Sequence, residues 1–299
     1  MRAGDWALHL GPGPGAANLV ELTGQSVVSV QRSLSAVEDI RAALGPAGRN
    51  AGLVDAEAGD LFEGRPQAGP YDVIVVNAAV GGLSPRWWDQ LSPSGVILAP
   101  MALGGLHPWV LAGRDPRDQQ AYGRIVAVDL PEEAPTPADG PLYAGVRPSP
   151  AAAGTVLPMP HFAPRWAGVV PPRLTAEQYA DLWLWLAAKD ERITAARVDE
   201  SNTLAQSLGH SWGTGCALIV GDRAVHVRTD GLWVSGDPDD PVTRTLAQAT
   251  AENIQEWARQ RRPKATGLTC RLAQSPQAGP DTLFVTAAWS GTRPIILPR

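Results

Sequence analysis

Apolar residues along the chain fall into short, compact runs separated by stretches in which they recur at helical spacing. Ala7 to Leu10 reads as a strand, Leu19, Val20 and Leu22 as one face of a helix, and Val27 to Val30 as a second strand. Leu34, Val37, Ile40 and Leu44 mark a second helical face, closed by Gly45-Pro46, and Leu53 to Ala56 predicts a short third strand. Val73 to Val76 is an unbroken β-branched run, the pattern of a parallel strand buried on both faces. Ser84 is a natural N-cap with Pro85 at the first helical position, predicting a helix through Trp87, Trp88 and Leu91. The turn Ser92-Pro93-Ser94-Gly95 then leads into Val96 to Pro100, another buried strand. This alternation predicts an α/β fold with a doubly wound sheet covered by helices.

The pattern changes further on. Pro131 to Pro172 is dense in proline, alanine and glycine and reads as a long connector, with Met159-Pro160-His161-Phe162 and Arg165-Trp166 expected to pack back on the sheet. Thr175 to Gln178 forms a capping box, and Tyr179, Leu182, Trp183 and Leu186 give an amphipathic helix to about Lys189. Ala217 to Val220, Ala224 to Val227 and Leu232 to Val234 predict an antiparallel hairpin or meander around Gly221-Asp222-Arg223. A helix within Asp237 to Arg262 and strands at Leu268 to Leu272 and Leu283 to Trp289 complete an α+β region.

Composition narrows the field. The chain has 299 residues, 44% hydrophobic and 18% charged, which suits a folded protein of one large domain or two. A net charge of −5 gives no basic footprint for nucleic acid, so none is expected as a partner. No apolar run approaches a membrane span and no signal peptide is evident, so a cytoplasmic protein without membrane contact is expected. Cys216 and Cys270 lack metal or disulfide spacing; both are expected as small core hydrophobes, and no metal site is predicted.

The chemistry concentrates in the turn after the first strand. Glycines at 11, 13 and 15 let the backbone bend sharply where a helix begins, an arrangement that brings free N–H groups to a nucleotide-like ligand. Read as Gly-x-Gly-x-x-Ala, through Gly11, Gly13 and Ala16, it fits a dinucleotide fingerprint, with Arg32 and Ser33 suited to a 2′-phosphate. Read as Gly-x-Gly-x-Gly, it resembles the first motif of class I S-adenosylmethionine-dependent methyltransferases. The turn by itself leaves both readings open. The glycine-rich stretch 209–215 is no phosphate loop, because it lacks the Gly-Lys-Ser/Thr ending and precedes a strand.

The succession Leu-x-Leu-Gly-x-Gly-x-Gly, Val-Val-Ser-Val, Ala-Gly-Asp at 58–60, Tyr-Asp-Val-Ile-Val-Val-Asn-Ala-Ala at 71–79 and Gln-Leu-Ser-Pro-Ser-Gly-Val-Ile-Leu-Ala-Pro at 90–100 resembles the protein-L-isoaspartate O-methyltransferases and their actinobacterial relatives. The likeness covers roughly residues 3 to 130, with Arg124 to Leu130 where the family has a last sheet strand, and the region beyond resembles the relatives' C-terminal extension. It implies a Rossmann-like methyltransferase domain at 1–130, the connector at 131–172 and an α+β domain at 173–299. The implied cofactor is S-adenosyl-L-methionine, with Gly11, Gly13 and Gly15 along its methionine and ribose, Gln31 at the ribose hydroxyls and Asp60 at the adenine amino group. The implied reaction is O-methylation of a carboxylate on a peptide or protein.

Three departures accompany the likeness. Gln31 replaces an acidic residue and accepts through a single carbonyl oxygen. His9 replaces a glutamate and is expected as a hydrogen-bonded structural residue. The family's N-terminal helical segment, which covers the reacting carboxylate, has no counterpart before the first strand. A second reading is therefore a catalytically degenerate methyltransferase fold that serves as a binding module, and a third is an NADP-dependent enzyme. No catalytic residue is identified by sequence.

Overall fold

The structure is a computed structural model, and it describes residues 1–13, 15–44, 52–114, 121–128, 160–190, 192–197, 214–274 and 283–289. In chain order the elements are β1 (Ala7–Leu10), α1 (Gly15–Thr23), β2 (Val27–Gln31), α2 (Leu34–Leu44), β3 (Val54–Ala58), β4 (Tyr71–Val76), α3 (Pro85–Asp89), β5 (Leu91–Pro100), β6 (Trp109–Arg114) and β7 (Ala121–Ala127). There follow β8 (Pro160–Ala167), α4 (Ala176–Lys189), β9 (Ile193–Arg197), β10 (Thr214–Val220), β11 (Arg223–Arg228), β12 (Gly231–Ser235), α5 (Pro241–Arg259), β13 (Leu268–Gln274) and β14 (Leu283–Trp289). They divide into two compact units, one of Met1–Met101, Trp109–Val126 and Thr269–Thr286, the other of Ala102–Pro108, Ala127–Leu268 and Ala287–Arg299.

The first unit holds a nine-stranded sheet in the order β14-β13-β7-β6-β5-β4-β1-β2-β3 among the described residues. Strands β3, β2, β1, β4 and β5 run parallel, as the buried β-branched runs require. Helix α1 packs Ala16, Leu19 and Val20 against Ala7, Val27 and Val73 of the sheet. Ser84 caps α3 by accepting from the Arg86 amide, with Pro85 beginning the helix. The helix stops at Asp89, short of the expected Leu91, because Leu91 already pairs with Tyr71. The expected turn at 92–95 is an irregularity inside β5, across which the partner of β4 jumps from Leu91 to Val96. Gly95 is needed there, since a Cβ would lie 2.7 Å from the Tyr71 carbonyl oxygen.

The second unit holds a five-stranded sheet, β8-β12-β11-β10-β9, with every adjacent pair antiparallel. The predicted meander is its centre, and β8 and β9 flank it. Helix α4 carries the expected capping box, but it is buried on all sides from Tyr179 to Ala188 and is not amphipathic in its setting. Its polar groups are matched accordingly. Trp183 donates to the Gly104 carbonyl at 2.7 Å, Trp185 to that of Asn253 at 3.0 Å, and Asp181 accepts from the Ala265 amide at 2.7 Å.

Strand pairing redraws the expected domain division. Residues 160–167 of the supposed connector form β8, with Trp166 buried and Phe162 tilted against Trp233. Strand β13, expected in a separate C-terminal domain, pairs antiparallel with β7 through Thr269, Cys270 and Arg271 and so completes the first sheet. Strand β6, unread in the sequence, joins β5 antiparallel. Cys216 is buried as expected, whereas the Cys270 side chain, Met159, the Gly45-Pro46 stop and residues 209–213 lie outside the described ones.

Candidate functional site

Strands β1 and β4 are neighbours, yet the chain leaves β1 towards β2 on one side and β4 towards β5 on the other. The carboxyl ends of such a pair border a crevice, the usual ligand position in open α/β sheets. The glycine turn occupies this edge. Gly11 and Gly13 have φ of +106° and +93°, backbone that favours glycine. Added Cβ atoms there would lie 3.3 Å from the Asn77 carbonyl and 3.1 Å from Asn77 Nδ2. Asn77, the first residue after β4, donates from its side chain to the Pro12 carbonyl and from its amide to Leu10, tying the turn across the switch point. The third glycine is required for a different reason, since a Cβ on Gly15 would come within 2.5 Å of His9 Nε2.

Behind the turn runs a row of neutral polar groups. His9 Nδ1 is 3.1 Å from Ser29 Oγ, its register partner on β2, and Gln31 Nε2 donates to the same hydroxyl at 2.9 Å. All three residues are buried, and desolvation pushes the His9 imidazole down to about 4, so it is neutral at pH 7. His9 Nε2 has no hydrogen-bond partner. Thus His9 is hydrogen-bonded through one nitrogen, and the other faces Gly15. Gln31 lies at the end of β2 as expected, but its amide nitrogen is engaged by Ser29, which leaves Oε1 as its acceptor.

Asp60 lies just past β3, and Gly59 donates to the Gln31 carbonyl at 2.7 Å, bringing the ends of β2 and β3 together. The exposed Asp60 carboxylate accepts from the Phe62 amide at 2.8 Å. The loop that carries it is pinned from α3. Trp87 donates to the Leu61 carbonyl at 2.8 Å, Ser84 Oγ to that of Phe62 at 2.7 Å, and the Phe62 and Trp87 rings stack at 5.6 Å. The edge therefore gathers Gly11, Gly13, Gln31 and Asp60 at the carboxyl ends of successive strands. Sequence reasoning missed Asn77 and Ser29; the position of Asn77 directly after the buried β4 run was the available signal. Among the described residues no group of three or more His, Cys, Asp or Glu could hold a metal, and no helix is long and apolar enough to cross a membrane.

Comparison with known proteins matches the same region. The model of the protein-L-isoaspartate(D-aspartate) O-methyltransferase family matches residues 1–121. A protein-L-isoaspartate O-methyltransferase of Methylorubrum extorquens is 31% identical over 134 residues, covering 44% of this chain and 58% of that protein. One of Methanoculleus marisnigri is 37% identical over 103 residues, covering 34% of this chain and 46% of that protein. The chain thus spans about half the length of these curated relatives. A solved protein-L-isoaspartate O-methyltransferase aligns over 97% of this chain and 77% of its own at 19% identity, with a TM-score of 0.44. The parallel sheet, the glycine turn and the family match fall on one stretch, so residues 1–121 form a Rossmann-like α/β sheet and are similar to the protein-L-isoaspartate O-methyltransferases.

Proposed function

We propose that this protein is an S-adenosylmethionine-dependent O-methyltransferase acting on a carboxylate of a peptide or protein, of the isoaspartyl type, in a cytoplasmic setting. The observation that carries the reading is the family match of residues 1–121, which spans the turn at the β1/β4 switch point. The edge fits a nucleoside cofactor in two respects. The positive-φ glycines bring bare backbone to the crevice, and the exposed Asp60 carboxylate keeps an acceptor for an exocyclic amine. Gly11, Gly13 and Gly15 would line the methionine and ribose, and Gln31 Oε1 would accept from a ribose hydroxyl. The bound cofactor supplies an electrophilic methyl group, and a carboxylate acceptor is already a nucleophile. The chain's own residues then have to align the two and exclude water, and no dedicated base is required.

Calorimetric titration with S-adenosylhomocysteine, against NADPH as the competing ligand, tests the reading. Micromolar binding of the first alone, followed by labelled methyl transfer to an isoaspartyl peptide, is the expected outcome. Replacing Asp60 by Ala should weaken binding about tenfold, the loss of one charge-assisted hydrogen bond; unchanged affinity removes Asp60 from the site. Failure to bind either ligand would instead select a methyltransferase fold retained as a binding module.

A further inference from the structure

The polar row from Gln31 through Ser29 to His9 has a direction, and its hydrogens fix it. Ser29 Oγ is buried and meets two groups among the described residues, Gln31 Nε2 at 2.9 Å and His9 Nδ1 at 3.1 Å. A hydroxyl has one hydrogen to give and lone pairs with which to receive. Gln31 donates to it, so the Ser29 hydrogen is left for His9, whose Nδ1 must then be bare. The imidazole is neutral at pH 7, and its proton therefore sits on Nε2, against Gly15. With the proton on Nδ1 instead, the buried Ser29 hydrogen would have no described acceptor unless the Gln31 amide turned round and offered Oε1. The His9 tautomer and the orientation of Gln31 are thus one choice.

That choice decides what the crevice meets. Gln31 ends β2 beside the glycine turn, where Gly11 donates to the Val30 carbonyl at 3.1 Å. No described donor reaches Gln31 Oε1, and that atom is not sealed from solvent, in contrast to His9 Nε2. With Nε2 of Gln31 given to Ser29, the group left for a ligand is an acceptor. An acceptor pairs with a ribose hydroxyl and opposes a 2′-phosphate, whose oxygens are acceptors themselves. The reversed row would present the amide N–H groups and invert that preference.

We propose that His9 is a positioning residue for the cofactor ribose: through Ser29, its Nε2–H tautomer turns the Gln31 acceptor towards the crevice and selects an unphosphorylated ribose. Fully buried behind Gly15, His9 acts only through Ser29 and Gln31. The role rests on the cofactor reading, and its test separates the two.

The tautomer is read first, from a long-range proton–nitrogen spectrum of the isotope-labelled full chain at pH 7 without ligand, with the His9 ring assigned through its backbone. A proton on Nε2 and a bare Nδ1 are expected; a proton on Nδ1, or on both nitrogens, overturns the role. The chain is then titrated with S-adenosylhomocysteine and with its 2′,3′-dideoxy analogue, which lacks both ribose hydroxyls. The wild type should bind the first about tenfold tighter, the worth of one hydrogen bond. His9→Leu, which offers Ser29 no acceptor, should bring that ratio to within about twofold of unity and leave the analogue's affinity unchanged. Adding Gln31→Glu to His9→Leu should restore the preference, because a carboxylate accepts on both sides. A purely structural role would weaken both ligands alike, so a ratio that persists in His9→Leu overturns the positioning role. A wild type that binds neither ligand removes the cofactor reading and the ribose role with it, whereas a failed ratio with binding intact removes the ribose role alone. Should His9→Leu fail to fold, the tautomer decides.

Discussion

His9 and His226 are the same chemical device in two different sheets. Each is buried, each meets a serine hydroxyl on the next strand, at 3.1 Å for Ser29 and 2.9 Å for Ser235, and burial pushes each down to about 4. In the antiparallel sheet His226 lies between Ala217 and Trp233, and its bond to Ser235 belongs to packing alone. In the parallel sheet His9 shares Ser29 with Gln31 and has an unpartnered Nε2 against the glycine turn. The difference teaches that position in the sheet, more than residue type, separates a packing histidine from one that borders a site. Both histidines sit on interior strands, but His226 lies mid-strand whereas His9 lies near the carboxyl end at the switch point, where groups are left over.

The largest effects should come from the tryptophans beneath each region. Trp87→Ala and Trp257→Ala each remove a fully buried indole and should each cost about 3–5 kcal/mol in urea unfolding. Only Trp87→Ala should also weaken S-adenosylhomocysteine binding, because it frees the Asp60 loop; equal effects on binding would erase the distinction between the regions.

The histidines come next. In the folded state each binds its proton near pH 4 and in the unfolded state near 6.5, so the unfolded chain takes up more protons between those values. Stability is therefore fully retained above pH 6.5 and falls as the pH drops towards 4, by about 3 kcal/mol per histidine. His9→Gln and His226→Gln should each flatten the urea-midpoint profile over that window, and an unchanged profile would show that the histidine titrates normally.

Smaller still are the hydroxyls. Ser29→Ala and Ser235→Ala should each cost about 1–3 kcal/mol, with Ser29→Ala the larger because it strips His9 and Gln31 together while Ser235→Ala strips His226 alone. The reverse order in urea unfolding would mean that Gln31 finds another partner. At the bottom of the scale, Lys264→Ala breaks an ion pair with Glu177 whose side chains are 68% and 71% exposed, and should move the urea midpoint by no more than about 0.5 kcal/mol.

The strands β1, β2 and β4 were legible because a strand buried on both faces must be a continuous apolar run, and the caps of α3 and α4 because Ser84 and Thr175 satisfy amides within their own turns. Strands β6, β8 and β9 were not legible. Residues 160–167 contain two prolines and two charged or polar side chains, and they become a strand only because β12 offers them a ladder. At the site, glycine spacing marked the turn, and Asp60 and Gln31 followed from the family likeness. Asn77 escaped notice because its function is to reach back to Pro12, 65 positions earlier.

By itself the sequence determined the parallel half of the first sheet, the position of the glycine turn and the class of fold. Those depend on local periodicity and on backbone conformations that only particular residues adopt. Only the tertiary structure decided that β13 returns to the first sheet, that Ser29 joins His9 to Gln31, and that residues 160–167 pair with β12. Each of those depends on which distant strands pair, and strand pairing is selected by the free energy of the whole packed sheet, which no single stretch of sequence contains.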